Sequence, residues 1–377
     1  MSTSIGRRAY VFVVDKYSYP VHRSRGFCGV KDPRLEWNFS GKSGLYADML
    51  GTRPGDLVFF YQRRIDEPAD QRGYRGIYEI KSRPFKDKRP ISWKGHTVLG
   101  QCPECGTTHP EKMTRNGPYK CKEDSCGAEI ERGSHIVPNR VEIEPVNFFP
   151  ESVDDNTAYV DRTDPGYLWT MLFRKTYGAG TERSASPILP EEAEKLERLL
   201  KKENENEAEV PDFEPYPDIS GKERLKPKLG EGPKVDYEHG LHAWIMDNID
   251  EEIPVLKDVV GPLSELEWSG NEVMYGIGRS KADVLLLHKR DGKRFKATVI
   301  ELKEGKVKKE DIDQIDRYSY WVSQLATANA NPSVENLKLQ PVVIGSELSD
   351  SAREKLNSWD SGSVEIPTLD LPDLVPG

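Results

Sequence analysis

The 377-residue chain has no apolar run approaching the ~18 residues of a membrane-spanning helix. Runs such as 284–287 stop after a few residues, which excludes a helical membrane span. Residues 9–14 are apolar but run directly into Asp15 and Lys16 with no cleavage-site pattern, and are expected to form a strand rather than a signal peptide. Positive charge is not in excess: 54 Lys and Arg against 63 Asp and Glu leave a formal net charge of −9. A histone-like role for the whole chain is excluded, whereas nucleic-acid binding through a local patch is not. Cysteine is scarce, and four of the five fall within 25 residues, which points to a metal site in a reducing cytoplasm and away from a disulfide framework. No internal repeat is visible. With 36% hydrophobic and 31% charged residues, a chain of this length is expected to fold as two or three domains, each with its own core.

Hydrophobic patterning divides the chain. Residues 8–99 read as strand-rich, with apolar strands over 10–14 and 57–61 and a third over 75–80. A short helix over 45–50 is closed by Gly51, strand character returns over 140–144, and a helix starts at Pro190 with Leu196, Leu199 and Leu200 on one face. Residues 203–234 hold five prolines and nine acidic residues, and read as an acidic, Pro-rich linker. Beyond it, Leu241, Ile245 and Ile249 lie at helical spacing. Strands are expected over 281–288 and 295–302 around an Asp291-Gly292 hairpin turn, then a helix over 310–325 and a strand over 341–344. Helix, strands, helix, strand is an α/β or α+β order.

In that second region Asp283 lies on one strand, and Glu301-Leu-Lys303 ends its hairpin partner. Glu301 and Lys303 are two apart and share a face. Two carboxylates at one end of a sheet supply the oxygen ligands that Mg²⁺ prefers, and a neighbouring ammonium can orient water and meet developing charge. On the next helix, Gln314 and Tyr318 stand four apart on one face, and Glu238 sits on the opening helix. A solvated strand face is the plainer reading of Glu301 and Lys303 alone. The full set, over roughly 235–345, resembles the PD-(D/E)XK nuclease superfamily, and within it the RecB-like branch with a Gln-x-x-x-Tyr motif. The residue before Asp283 departs from the motif, being Ala282 and not proline. The resemblance implies that Asp283 and Glu301 bind Mg²⁺ (or Mn²⁺), that Lys303 assists the water, that Glu238 is an accessory acid, and that Gln314 and Tyr318 orient the metal site or the DNA. The segment 281–309 also carries Lys289, Arg290, Lys293, Arg294, Lys296, Lys306, Lys308 and Lys309, which could meet phosphates; over the hairpin tip 289–296 the competing reading is a charged edge kept soluble.

Cys102-Pro-Glu-Cys105-Gly106 places two thiolates on a tight turn, and Cys121 and Cys126-Gly127 follow. Two such pairs make a four-cysteine site for structural Zn²⁺; four sulfurs close the coordination shell, so this zinc is not the catalyst. Cys28 stands apart and reads as a partly buried thiol.

Gly55-Asp-Leu-Val-Phe-Phe-Tyr61 and Arg75-Gly-Ile-Tyr-Glu-Ile80, with the strand over 10–14 and the segments 168–175 and 187–192, resemble PUA-like domains of the EVE type. Such domains bind nucleic acid, and several accept a modified or flipped base. On that resemblance Trp37, Phe39, Tyr61 and Trp93 are candidates for an aromatic base-binding cage, with core packing as the competing role for each.

The expected fold is therefore multidomain: a β-rich PUA-like domain over 1–202 with a zinc ribbon inserted at 100–135, a linker over 203–234, and an α/β PD-(D/E)XK nuclease domain over 235–377. The implied protein is a cytoplasmic, Mg²⁺-dependent DNA endonuclease resembling modification-dependent restriction enzymes, with DNA carrying a modified base as partner and no membrane. A double-strand cut by one active site per chain would call for a homodimer. The alternatives are a structure-specific or repair DNA nuclease and a non-catalytic reader of modified nucleic acid.

Overall fold

The computed structural model describes residues 8–15, 18–30, 43–63, 73–87, 91–92, 100–102, 104–105, 108–109, 119–130, 134–135, 137–147, 149–160, 168, 170–171, 185–205, 213–217, 222–227, 237–251, 253–274, 281–303, 305–327, 334–345 and 347–357. The N-terminal half is built on strands β1 (Ala9–Val14), β2 (Phe27–Val30), β3 (Leu57–Gln62), β4 (Gly73–Ile80) and β5 (Phe85–Lys86). They are joined by three later strands, β12 (Asn139–Asn147), β13 (Ala185–Ile188) and β14 (Glu223–Arg224). The sheet order is β13-β1-β3-β4-β12-β5-β14, with β2 on β12. It is mixed: β1 and β3 run parallel and the other pairs antiparallel. Six two-residue strands lie between β5 and β12: β6 (Ile91–Ser92), β7 (Gly100–Gln101), β8 (Thr108–His109), β9 (Tyr119–Lys120), β10 (Glu129–Ile130) and β11 (Ser134–His135).

Both faces of this sheet are buried, which is why β1 and β3 read as unbroken apolar runs instead of alternating. Ala9, Val11, Phe59 and Tyr61 face one core, closed by Leu196, Leu199 and Leu200 of a helix over Pro190–Glu203. Tyr10, Phe12, Val58 and Phe60 face a second core. Numbered in chain order, the helices are α1 (Ser18–Ser24), α2 (Ser43–Gly51), α3 (Asp155–Val160), α4 (Pro190–Glu203), α5 (Tyr237–Asn248), α6 (Pro254–Val260), α7 (Lys309–Thr327) and α8 (Asp350–Asn357).

The C-terminal half follows α5 with a four-stranded sheet, β15 (Leu266–Met274), β16 (Lys281–Arg290), β17 (Lys293–Leu302) and β19 (Val334–Ile344), in that order. The first three strands are antiparallel, and β19 returns parallel to β17 after the α7 crossover. Asp291 and Gly292 both take positive φ (50° and 76°), the conformation a two-residue hairpin turn requires. Two further two-residue strands, β18 (Lys306–Val307) and β20 (Glu347–Leu348), pair with each other. One face of the four-stranded sheet packs on α7 and α8 through Leu285, Leu287, Val299, Ile312, Ile315 and Ala352. Its other face, with Val284, Leu286, Ile300 and Val342, belongs to the same core as Tyr10 and Phe60. Leu241, Ile245, Met246 and Ile249 carry that core across from one half to the other.

The halves are thus joined by a common interior. Buried Arg53 secures the junction. Its Nε and Nη2 donate to both oxygens of Asp250 (2.7 and 2.6 Å), and it also donates to the carbonyls of Leu50, Thr52, Met246 and Asp247. One guanidinium so satisfies the closing carbonyls of α2 and α5 together. Arg8 bonds Asp56 and Ser269, the Trp268 indole donates to Ile188 O (2.7 Å), and Arg294 pairs with Glu191 and Glu267.

The stretch 203–234 differs from an extended tether where it is described. Glu223 and Arg224 form β14 on the sheet edge, Leu225 is buried, and Tyr216 packs against Phe27 and Phe85 while hydrogen-bonding Asp87. A few apolar anchors set among many charges suffice to dock it, and average composition hides them. Among the described residues no helix is long and apolar enough to cross a membrane.

Replacing Arg53 tests the junction. Arg53→Met leaves four carbonyls at a largely buried seam without this donor and Asp250 with Arg83 alone, and is expected to cost about 2–4 kcal/mol in urea unfolding. Burial alone would raise the Asp250 carboxyl; the hydrogen bond and charge of Arg53, reinforced by Arg83, outweigh this and hold it down at about 2. Its stabilising contribution is therefore complete above the ordinary carboxylate value of ~4 and is lost as pH falls through about 2. Urea titrations from pH 5 to pH 2 are expected to show the difference between wild type and Arg53→Met shrinking toward the acid end.

Candidate functional site

Two sites emerge. The first is the cysteine quartet. The β9–β10 hairpin brings Cys121 and Cys126 together, with the Cys121 N–H donating to Ala128 O (2.8 Å) and the Cys126 N–H to Glu123 O (2.9 Å). Gly127 turns the chain with φ 58°. Cys102 Sγ lies 3.5 Å from Cys126 Sγ, and Cys105 Sγ lies 3.5 Å from Cys121 Sγ. All four sulfurs lie within 4.8 Å of one another. A tetrahedron of sulfurs around zinc at about 2.3 Å has edges of roughly 3.8 Å, so the quartet fits a zinc ion held by four thiolates. Cys102 and Cys121 are buried, and Cys105 and Cys126 partly so. The lone Cys28 is fully buried, and burial pushes its thiol well up, away from nucleophilic use.

The second site lies at the end of the C-terminal sheet. The β16–β17 register pairs Val284 with Ile300, and one further step sets Asp283 beside Glu301. Both carboxylates are buried, at 6% and 2% exposure. Asp283 Oδ2 accepts from the Leu302 N–H (2.7 Å), which locks it to the partner strand. Glu301 Oε1 accepts from Lys303 Nζ (2.7 Å) and from Gln314 Nε2 (2.6 Å). Gln314 also bonds the Tyr318 hydroxyl, and Lys303 lies 3.7 Å from Asp311. The helical spacing of Gln314 and Tyr318 thus brings Gln314 to the carboxylate and the Tyr318 hydroxyl to Gln314. Burial alone would lower the Lys303 ammonium, but the Glu301 hydrogen bond and charge outweigh it and hold the group above its ordinary value.

Two of the side chains lining this site carry no motif. Buried His242 of α5 places Nε2 3.6 Å from Asp283 Oδ1, and its Nδ1 lies 2.7 Å from Asn271 Oδ1. His242 could have been noticed as one helical turn beyond Glu238; Asn271 could not, because β15, broken by Gly270 and polar residues, has no strand pattern. The helix carrying Glu238 is described, but that side chain lies outside the described residues. Asp283, Glu301 and His242 offer two oxygens and a nitrogen to a cation. Among the described residues, however, only the cysteines bring three or more such ligand atoms within 4.8 Å of each other.

Several of the described phosphate-contact candidates pair with acids of this chain, but only Arg294 does so in the interior. Arg294 is buried between Glu191 and Glu267, Arg290 pairs with Glu265, Lys289 with Glu267 and Lys306 with Glu347. Of the four aromatic cage candidates, Trp37, Phe39 and Trp93 lie outside the described residues. Tyr61 is a core side chain: it is buried, packs on Tyr74 at 5.0 Å and donates to Asp155 Oδ2 (3.1 Å), so its ring has no open face for a base.

No family model matches the chain, and no curated protein matches it. Solved structures similar to it include a hypothetical protein from Leishmania major, with 14% identity and a TM-score of 0.29 over 54% of this chain and 99% of that one. A Pseudomonas putida protein matches with 18% identity and a TM-score of 0.29, over 51% of this chain and 99% of that one. Human THYN1, solved in complex with 5-methylcytosine-containing DNA, matches with 12% identity and a TM-score of 0.27, over 52% of this chain and 98% of that one. At that distance the likeness assigns neither a family nor an activity. The chain itself is β-rich, with mixed sheets and a cysteine cluster suited to a metal.

Purified protein is expected to carry one zinc per chain by elemental analysis, and Cys105→Ser to lose it. Apparent zinc binding energies in small finger peptides are on the order of 10–16 kcal/mol, so the variant should also lose protease resistance within 100–135. Zinc-free protein with an intact ribbon would contradict the assignment.

Proposed function

We propose that the chain is a divalent-metal-dependent deoxyribonuclease whose cleavage centre is Asp283, Glu301 and Lys303. The observation that carries this reading is the pairing of two buried carboxylates on adjacent strands, one of them held by a lysine and a glutamine from the following helix. Two carboxylates buried side by side would be costly to maintain for stability alone. The order α5, β15–β16–β17, α7, β19 supports the same reading, because it presents both acids at one end of a short sheet, where a phosphodiester can approach.

Asp283 and Glu301 would hold Mg²⁺, which supplies charge neutralisation and a more acidic water when bound. The remaining work falls to side chains. Lys303 stands to orient water and meet the negative charge that builds on the phosphorus oxygens. Gln314, braced by Tyr318, fixes the Glu301 carboxylate so that the centre is preorganised. Recognition of a modified base by the N-terminal half rests on the resemblance of segments 55–61 and 75–80 to EVE-type domains. It makes DNA carrying a modified base the preferred substrate.

Asp283→Ala and Glu301→Ala are expected to abolish Mg²⁺-dependent cleavage. Lys303→Ala should slow it by ~10²–10³ while leaving metal binding largely intact, and Gln314→Ala should slow it less. Ca²⁺ should support DNA binding without cutting, because its looser shell fits the octahedral requirement poorly. Cleavage of modified and unmodified duplexes by wild type and Asp283→Ala is the deciding measurement. Equal rates for the two proteins would remove the nuclease reading, and equal rates on the two duplexes would remove the modification-dependent part.

A further inference from the structure

Four buried polar side chains lie in a line from the N-terminal half to the proposed cleavage centre. Asp48 of α2 and Asn271 of β15 are both 0% exposed; His242 of α5 is 3% and Asp283 of β16 is 6% exposed. Asn271 Nδ2 donates to Asp48 Oδ1 (3.3 Å), His242 Nδ1 lies 2.7 Å from Asn271 Oδ1, and His242 Nε2 stands 3.6 Å from Asp283 Oδ1. The direction of these contacts follows from the end at Asp48. A carboxylate accepts, so the Asn271 amide turns its NH2 toward α2 and its oxygen toward α5. His242 must then donate from Nδ1, which fixes the tautomer and the plane of the ring. Nε2 is then left with its lone pair turned toward Asp283 Oδ1, so that nitrogen and oxygen stand as two acceptors for one cation.

These side chains lie where α2, α5 and β15 meet, beside the apolar core that holds Met49, Leu241, Ile245 and Val284. A buried polar chain brings specificity of arrangement more than net stability. We propose that Asp48 and Asn271 are positioning residues for the cleavage centre: they make the placing of His242 Nε2 beside Asp283 depend on helix α2, and so couple the N-terminal half to catalysis. The inference rests on the nuclease reading. A shift of α2 along α5 would turn the Asn271 amide, release the His242 ring and carry Nε2 away from Asp283, with no residue of the N-terminal half touching the scissile phosphate.

The test uses the full chain with the double substitution Asp48→Leu/Asn271→Leu. Removing both partners together leaves no orphaned carboxylate and orphans only the His242 Nδ1–H; Asp48→Asn, which keeps the shape but frees the Asn271 amide to turn, serves as a second variant if the double variant does not fold. Single-turnover cleavage with Mg²⁺, DNA affinity in Ca²⁺ and the thermal midpoint are measured together, and long-range ¹H–¹⁵N spectra report the His242 tautomer. The expected result is a 10- to 100-fold loss in cleavage rate, on the scale of removing a partner that orients a metal ligand, with DNA affinity within about twofold of wild type. Wild type should show the Nδ1–H tautomer, and the double variant should lose it. An unchanged cleavage rate, a loss of DNA affinity matching the loss of rate, or an Nε2–H tautomer in wild type would overturn the inference and leave the nuclease reading standing. A wild-type protein that does not cut would overturn the nuclease reading first and the inference with it.

Discussion

Helices α2 and α5 pack on each other between the two sheets, and the rest of the molecule is arranged around that constraint. The apolar side chains of α5, Leu241, Ile245, Met246 and Ile249, sit in one core with strands from both halves. A surface helix usually spares one face for water. Here the polar positions are drawn inward as well, His242 toward Asp283 and the closing carbonyls toward Arg53. The α2–α5 seam lies along that shared interior, while the Trp268 contact to Ile188 and the Arg294 pair with Glu191 join the halves beside it.

The proposed catalytic end benefits from this rigidity. Glu301 is tied to α7 by Gln314 and to its own strand end by Lys303, while Asp283 is tied to the partner strand by the Leu302 amide. Each carboxylate is therefore held by a different element, and neither is free to follow a passing cation. Such preorganisation suits chemistry in which charge appears late and must be met by groups already in place.

Much of this could be read from sequence, and the omissions have physical causes. Strands β1, β3, β4, β16 and β17 announce themselves because their residues are buried on both faces, and α4 and α7 because only one face is. The Asp291-Gly292 turn is visible because φ above zero at two successive positions restricts the residue choice. Strand β15 was invisible: Ser269, Gly270 and Asn271 interrupt it, because there it serves polar contacts to Arg8, Asp48 and His242 more than apolar packing. The Asp283–Glu301–Lys303–Gln314–Tyr318 set was legible since local spacing carries it. The line through His242 to Asp48 spans 235 residues of sequence and has no local signature. Tyr61 misled for the opposite reason, since an aromatic at a strand end looks the same whether it stacks on a base or on Tyr74.

Strand β14 has a further consequence. By pairing Glu223 and Arg224 with β5 only about a dozen residues before α5 begins, it shortens the leash between the two sheets to the length of that last segment. A leash so short keeps separated surfaces at an effective concentration of roughly millimolar or higher. If the common interior opens, it recloses as an intramolecular event, faster than a second copy of the chain could intrude. Exchange of halves between neighbouring molecules is thereby disfavoured, and the two sheets stay matched within one polypeptide.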